Sequence, residues 1–205
     1  MSKNLLILFV KNLIPGTVKT RLAEEIGIEG ALDVYQFLVE HTFEETNKVE
    51  SDKIVYYSEY VEIEDIFDNG KYQMQVQKGK DLGERMLNAF QKSFDAGYEK
   101  AIIVGSDCFE LQKTHIEEAL DELDKNDLVI GPASDGGYYL LGMKELFPAL
   151  FQNKKFSHEN VLKELLAEIA SLDLSFHLLP ELNDIDTFDD LKDSGIDFEF
   201  VSDDD

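Results

Sequence analysis

The sequence predicts an α/β protein in which strands alternate with helices, and three observations carry that expectation. Unbroken apolar runs at residues 5–10 (LLILFV), 101–104 (AIIV) and 128–131 (LVIG) have the length and β-branched content of strands covered on both faces. Between them lie stretches whose apolar residues recur at helical spacing, as in Ala31, Val34, Tyr35, Leu38 and Val39. Gly105-Ser106-Asp107 follows the central run directly, setting a carboxylate just beyond the carboxyl end of a buried strand, where open α/β sheets keep their ligands. An Asp there can equally cap the next helix or bend the loop, so both roles stand at this point.

Length and composition bound the rest. A chain of 205 residues suits one domain, 1–205, with a core that needs neither disulfide nor structural metal. Its 43% hydrophobic and 30% charged residues suit a soluble globular protein, and the longest apolar run is too short to span a membrane. No signal peptide is legible at the amino terminus, so the expected location is the cytoplasm. Cys108 has no cysteine to pair with, and His41, His115, His158 and His177 are too widely spaced for a local zinc motif. Chemistry therefore falls to carboxylates, Lys, Arg and backbone.

The formal net charge of -24 repels nucleic acid and anionic membranes, and a solvated acidic surface accounts for most of it. The exceptions are informative. Residues 1–23 contain no Asp or Glu but include Lys3, Lys11, Lys19 and Arg21. The two arginines, Arg21 and Arg85, each sit in a Gly-containing loop-to-helix junction. A guanidinium fork suits phosphate oxygens, which points to an anion site set into a repelling surface.

Taken in order, residues 5–10 form the first strand, the loop 11–18 (KNLIPGTV) turns at Pro15-Gly16, and Lys19-Thr20-Arg21-Leu22 opens a helix. Strand, basic loop and helix start together can hold phosphates, with amides and the positive helix end facing the anion. Lys11, Gly16, Lys19 and Arg21 are the candidates, although a surface turn with ordinary lysines would read the same way. Neither the Rossmann nor the Walker A pattern is present. The helical stripe through Val39 stops before the polar stretch 45–52. Residues 53–58 (KIVYYS) then read as a second strand, 61–67 as a short acidic helix and 72–77 (YQMQVQ) as a third strand. Gly79-Lys80-Asp81-Leu82-Gly83-Glu84-Arg85 leads into a helix with Met86, Leu87, Phe90 and Phe94 on one side. Gly79 and Gly83 would let backbone approach a ligand that Arg85 or Asp81 contacts; the alternative is a turn with Asp81 as helix cap.

A helix over 113–125 packs through Ile116, Ala119, Leu120 and Leu123, and the strand 128–131 precedes Pro132-Ala133-Ser134-Asp135-Gly136-Gly137-Tyr138-Tyr139. Asp-Gly between two β-like runs is a hairpin signal. A hairpin does not require the second Gly, and paired glycines would let a sugar or phosphate lie against the backbone while Asp135 accepts from hydroxyls. A helix over 159–170 and a strand over 176–179 follow. Thr187 and Asp190 then resemble a capping box. Asp184 and Asp186, one residue apart in an extended segment, share a face, and one of them could share a divalent ion with Asp107. The acidic tail, 197–205, is expected to fray.

In order, Pro15-Gly16 with Lys19-Thr20-Arg21-Leu22, Asp81-Leu82-Gly83-Glu84-Arg85-Met86, Gly105-Ser106-Asp107-Cys108, Gly131-Pro132-Ala133-Ser134-Asp135-Gly136-Gly137-Tyr138-Tyr139-Leu140-Leu141-Gly142 and Asp184-Ile185-Asp186-Thr187 cover nearly the whole chain. Together they resemble the bacterial family of radical-SAM/selenodomain-associated transferases type 1. That family is grouped with the GT-A nucleotide-diphospho-sugar transferases and is more remotely similar to the molybdenum-cofactor and phospholactate guanylyltransferases. The resemblance implies a GT-A-like three-layer α/β sandwich around a mixed, mostly parallel sheet. It implies that Lys19 and Arg21 grip nucleotide phosphates, that Asp107 binds Mg²⁺ or Mn²⁺ with Asp186 as second ligand, and that Asp135, Gly136 and Gly137, with Tyr138 beside them, hold sugar or acceptor. The expected catalytic set is Asp107, Asp135 and Lys19; Lys11, Gly16, Asp81 and Arg85 complete the expected phosphate contacts.

Two positions depart from the family pattern. Phe109 stands where a Pro usually follows the Asp-Cys pair, and Phe156-Ser157-His158 replaces a Trp-Ser-Thr segment. The reading that results is a metal-dependent glycosyltransferase using a nucleotide-sugar donor and a small-molecule acceptor. Guanylyltransferase-like nucleotidyl transfer from a nucleoside triphosphate to a phosphorylated acceptor is the alternative. A third reading is a nucleotide- or sugar-binding protein that has lost turnover, with Phe109 as its sign. Nucleic acid is not an expected partner.

Overall fold

Period-two alternation decides which layer each strand residue serves. Along β1 (Asn4–Val10), Leu6, Leu8 and Val10 enter one buried cluster while Leu5 and Ile7 enter another on the opposite face. In β4 (Lys100–Val104), Ile102 and Val104 join the first cluster and Ala101 and Ile103 the second. Strands buried on both sides must be apolar throughout, which is why these runs stood out in the sequence.

The structure is a computed structural model that describes residues 3–152, 154–156 and 158–196. The remaining elements are α1 (Thr20–Asn47), β2 (Asp52–Tyr57), β3 (Tyr72–Val76), α2 (Leu82–Asp95), α3 (Lys113–Glu122), β5 (Leu128–Pro132), β6 (Tyr138–Met143), α4 (Val161–Ser171), β7 (Phe176–Leu178) and α5 (Phe188–Asp193). One seven-stranded sheet runs β3-β2-β1-β4-β6-β5-β7. Only β6 is antiparallel to its neighbours, β4 and β5. Helices α1 and α3 cover one face through Tyr35, Val39, Ile116 and Ala119, and α2 and α4 cover the other through Met86, Phe90, Leu165 and Ile169. This is the predicted three-layer sandwich around a mixed, mostly parallel sheet. No helix among the described residues is long and apolar enough to cross a membrane.

Three local expectations need correction or limits. Residues 61–67 form turns and bends instead of a helix. The Asp65 carboxylate accepts from the Phe67 amide (2.8 Å) and from the Tyr57 hydroxyl (2.6 Å), an alternative to helical bonding that buries Phe67. The helix opening at Thr20 is broken at Gly27, whose φ of 77° and ψ of 168° leave helical space. The tail 197–205 and Ser157 lie outside the described residues. Elsewhere the agreement is close: β5 and β6 form the hairpin announced by Asp135-Gly136, and Thr187 and Asp190 build the capping box of α5.

Candidate functional site

After β1 the chain builds β2 and β3 to one side, then returns to place β4 on the other, so the loops leaving β1 and β4 diverge. Such a switch point opens a crevice at the carboxyl ends of the strands. Here it is a cleft of about 710 Å³ whose wall includes Lys11, Gln77, Arg85, Ser106, Asp107 and Asp184.

Beside it lies an ion triad in which a buried lysine meets two half-buried carboxylates. The Lys19 ammonium donates to Asp107 Oδ2 (2.9 Å) and to Asp186 Oδ1 (2.7 Å), with only 3% of its side chain exposed. Burial alone would depress the Lys19 ammonium, but the two carboxylates outweigh it and hold the group above its ordinary range. Burial would likewise raise Asp107; Lys19 first and then Lys11 keep it below the usual carboxylate range. The Ile185 amide donates to the Asp107 carbonyl (3.1 Å), fastening the segment that carries Asp184 and Asp186 alongside the β4 loop. Asp184 is pushed up to about 7 by burial and then by the charges of Asp107 and Asp135.

Two buried polar residues set the shape of the cleft. The Tyr35 hydroxyl accepts from the Lys11 amide (2.8 Å) and pairs with Ser106 Oγ (2.8 Å), tying the loops after β1 and β4 to α1. Asn12, 2% exposed, accepts from the Glu59 amide (2.9 Å) and donates to the Tyr60 carbonyl (2.9 Å) and Glu62 Oε1 (3.1 Å). It fixes the β1 loop to the loop after β2. Gln77 donates to the Val10 and Tyr56 carbonyls and accepts from Arg85 Nη1 (3.3 Å), which holds the guanidinium on the cleft wall.

The remaining sequence candidates divide. Lys11 and Tyr138 line the cleft, and Asp135 lies close enough to raise Asp184 while its own carboxylate accepts from the Gly137 amide (2.7 Å). Gly16 is exposed on the β1 loop with φ of 77°. Arg21 is exposed on the first turn of α1, outside the cleft lining. It adds to the Thr187 and Asp186 hydrogen bonds that hold Asp190 below the usual range against a raising effect of burial. Asp81 is the cap of α2, accepting from the Glu84 amide (2.9 Å), as the alternative reading had it. The room left by Gly83 and Gly136 is filled by protein and not by ligand. A Cβ on Gly83 would overlap the Phe156 ring, and one on Gly136 the Glu159 backbone. The Phe109 ring packs at a tilt against those of Phe37 (5.5 Å) and His41 (4.8 Å) on α1 and does not border the cleft.

The family model described as "Uncharacterized protein conserved in bacteria (DUF2064)" matches residues 44–158. The chain belongs to the DUF2064 family. A comparison with curated proteins gives no match. Among solved structures, this DUF2064 protein is similar to one from Desulfovibrio desulfuricans G20 that is provisionally named a nucleotide-diphospho-sugar transferase. The two share 33% identity over 93% of this chain and 85% of the other, with a TM-score of 0.85. At the level of fold alone it is similar to the 4-diphosphocytidyl-2C-methyl-D-erythritol synthase of Anaerococcus prevotii DSM 20548, at 12% identity, 93% of each chain and TM-score 0.61. A cytidylyltransferase from Leptospira borgpetersenii serovar Hardjo-bovis (strain JB197) shows the same at 14% identity, 93% of this chain, 84% of the other and TM-score 0.56.

Sequence reasoning missed Tyr35, Asn12 and Gln77 as parts of the DUF2064 site. Tyr35 did carry a signal: a tyrosine in an otherwise apolar helical stripe has a hydroxyl that must find a partner once buried. Asn12 and Gln77 have no such mark.

Two carboxylates on the cleft wall, Asp107 and Asp184, could hold a divalent ion. Among the described residues, no three His, Cys, Asp or Glu side chains form a metal cage. Asp107 keeps Oδ1 with a single long contact, to Ser106 Oγ (3.4 Å), while Asp184 stands in the same cleft under net negative charge. Two carboxylates and several waters suit Mg²⁺ or Mn²⁺. Asp186, the partner expected from the sequence, is already bonded to Lys19; Asp184 lines the cleft instead.

Proposed function

We propose that this DUF2064 protein is a metal-dependent transferase that takes a nucleotide sugar as donor and passes its sugar to a hydroxyl of a small acceptor. The observation that carries the reading is one cleft at the switch point whose wall holds both a carboxylate pair, Asp107 and Asp184, and two cations, Lys11 and Arg85. A nucleoside diphosphate suits both, cations that pair with its oxygens and carboxylates that would hold a divalent counter-ion. The name of the D. desulfuricans neighbour and the finer resemblance to the radical-SAM/selenodomain-associated type 1 transferases support the same reading.

In this scheme Lys11 and Arg85 bind the phosphates, Gln77 orients Arg85, and Asp107 and Asp184 hold Mg²⁺ or Mn²⁺. The ion, when bound, neutralises charge on the departing diphosphate. The acceptor hydroxyl gives its proton to the Asp135 carboxylate as its oxygen bonds to the anomeric carbon, and the bond from that carbon to the phosphate oxygen breaks, releasing the nucleoside diphosphate. Asp135 on the rim accepts a hydrogen bond from sugar or acceptor. The Phe109 ring packs on α1 and does not line the cleft, so it takes no part in this scheme.

The test is a melting-temperature screen of sugar nucleotides and nucleoside triphosphates with and without Mn²⁺. A ligand at one hundred times its dissociation constant adds about 2.7 kcal/mol. Stabilisation by a sugar nucleotide that needs Mn²⁺ and vanishes in Asp107→Asn is expected. Stabilisation by a triphosphate alone replaces glycosyl by nucleotidyl transfer, and no response to any nucleotide overturns the reading.

A further inference from the structure

We infer that Lys19 is the resident cation of the site: its ammonium satisfies Asp107 and Asp186 when no metal is bound, and its charge opposes a divalent ion that approaches Asp107. The inference rests on the reading of Asp107 as a metal-binding carboxylate, and it departs from a role for Lys19 in gripping phosphate.

Four features lead to it. The ammonium is bonded to both carboxylates, at 2.9 and 2.7 Å, which take two of its three N–H donors. Its side chain is 3% exposed, and Lys19 is not among the residues of the cleft wall, whereas Asp107 and Asp184 are. The Lys19 backbone sits in left-handed space, φ 46° and ψ 45°, at the start of α1. A non-glycine residue there costs about 1 kcal/mol or more and persists where surrounding contacts over-determine it. Those contacts come from Asp107 on the β4 loop and Asp186 ahead of α5, so the lysine joins three separate segments. Finally, three aspartates converge here, and without an internal cation their mutual repulsion would fall on the apo protein.

Lys19 thus does two things at once. It makes the carboxylate cluster tolerable without metal, and it lowers metal affinity, because an ammonium on Asp107 Oδ2 repels a divalent ion approaching the same carboxylate. Lys19 is a positioning residue in this scheme, not a catalytic one.

The experiment is a titration with Mn²⁺ alone, followed by electron paramagnetic resonance, on wild type, Lys19→Met and the double variant Lys19→Met/Asp186→Asn, with thermal melts of each. The double variant keeps the wild-type net charge, so tighter binding in it cannot come from added negative charge, and it removes an unpaired carboxylate that could prevent the single variant from folding. Mn²⁺ binding tighter by about tenfold in both variants, with a lower melting temperature for Lys19→Met that Mn²⁺ restores, is the expected result. Binding by the variants and not by wild type supports the inference in its stronger form. Wild-type binding that is unchanged or weakened in the variants overturns the inference and leaves Asp107 as a metal ligand. No Mn²⁺ binding by any of the three overturns both.

Discussion

Tyr35 and Ser106 meet through their hydroxyls at 2.8 Å, 71 positions apart in sequence, in the buried floor between α1 and the loop after β4. The same phenol accepts from the Lys11 amide, so one side chain sets the spacing of the two loops that bound the cleft. Tyr35→Phe keeps the ring and leaves the Lys11 amide and the Ser106 hydroxyl without the partner they share. The expected loss is about 1–3 kcal/mol in chemical denaturation. Nucleotide affinity should weaken further than this global loss explains, because the protein that remains folded holds its loops less firmly. A variant that binds like wild type would show that the phenol supports packing alone.

Gly136 and Gly137 should respond differently to alanine. At Gly136, φ is 88° and a Cβ would overlap the Glu159 backbone, which cannot swing aside as a side chain can. Gly136→Ala is expected to cost about 1–3 kcal/mol from overpacking, with a further cost of roughly 1 kcal/mol for the positive φ. At Gly137 the nearest atom is a carboxylate oxygen of Asp135 at 3.0 Å, and Gly137→Ala should be much milder. Melting temperatures of the pair decide whether Gly136 serves protein packing, as its surroundings indicate, or ligand approach.

Asp127 gives the fold an acid-sensitive joint. The Ser175 hydroxyl, the Lys144 ammonium and the Ser175 amide hold its carboxyl at about 2. A folded-state value below the unfolded value of about 3.9 means that its contribution is present in full above that pH. The contribution is lost as pH falls towards 2. Asp127→Asn should therefore be less stable than wild type at pH 7, with the gap closing between about pH 4 and pH 2. A gap that is constant with pH would remove the carboxylate charge as its source.

Asp81→Ala should shorten or fray α2 at its first turn and cost about 1 kcal/mol, while Asp81→Ser restores most of it. Nucleotide affinity should change in neither. A large loss of affinity in both variants would reinstate Asp81 as a ligand contact.

The layers were legible because strands covered on both sides leave unbroken apolar runs, and the α5 cap and the β5–β6 turn were legible because Thr187 with Asp190, and Asp135-Gly136, act over a few residues. What failed was whatever depends on distant partners. Lys19 reads as a basic residue at a helix start, yet its two carboxylates lie 88 and 167 positions away. Asp184 and Asp186 share a segment, and nothing in their spacing says which one meets Lys19 and which one faces the cleft. Residues 61–67 have a helix-like mixture of acids and apolar groups, but the pull of the buried Phe67 and the Asp65 turn overrides it. Gly83 and Gly136 read in the sequence as places where a ligand approaches the backbone; the groups packed against them, Phe156 and Glu159, are encoded far downstream.

The lone antiparallel strand also bears on how the chain is made. β4 is complete at Val104, but the strand that will cover its second edge, β6, begins at Tyr138. During synthesis the middle of the finished sheet is therefore an open, apolar edge until more than thirty further residues have left the ribosome, and an open edge is a template for pairing with another nascent chain. The tight β5–β6 hairpin shortens that exposure, since it can close locally and dock as a unit, shielding the Asp107 loop and its neighbours in one event.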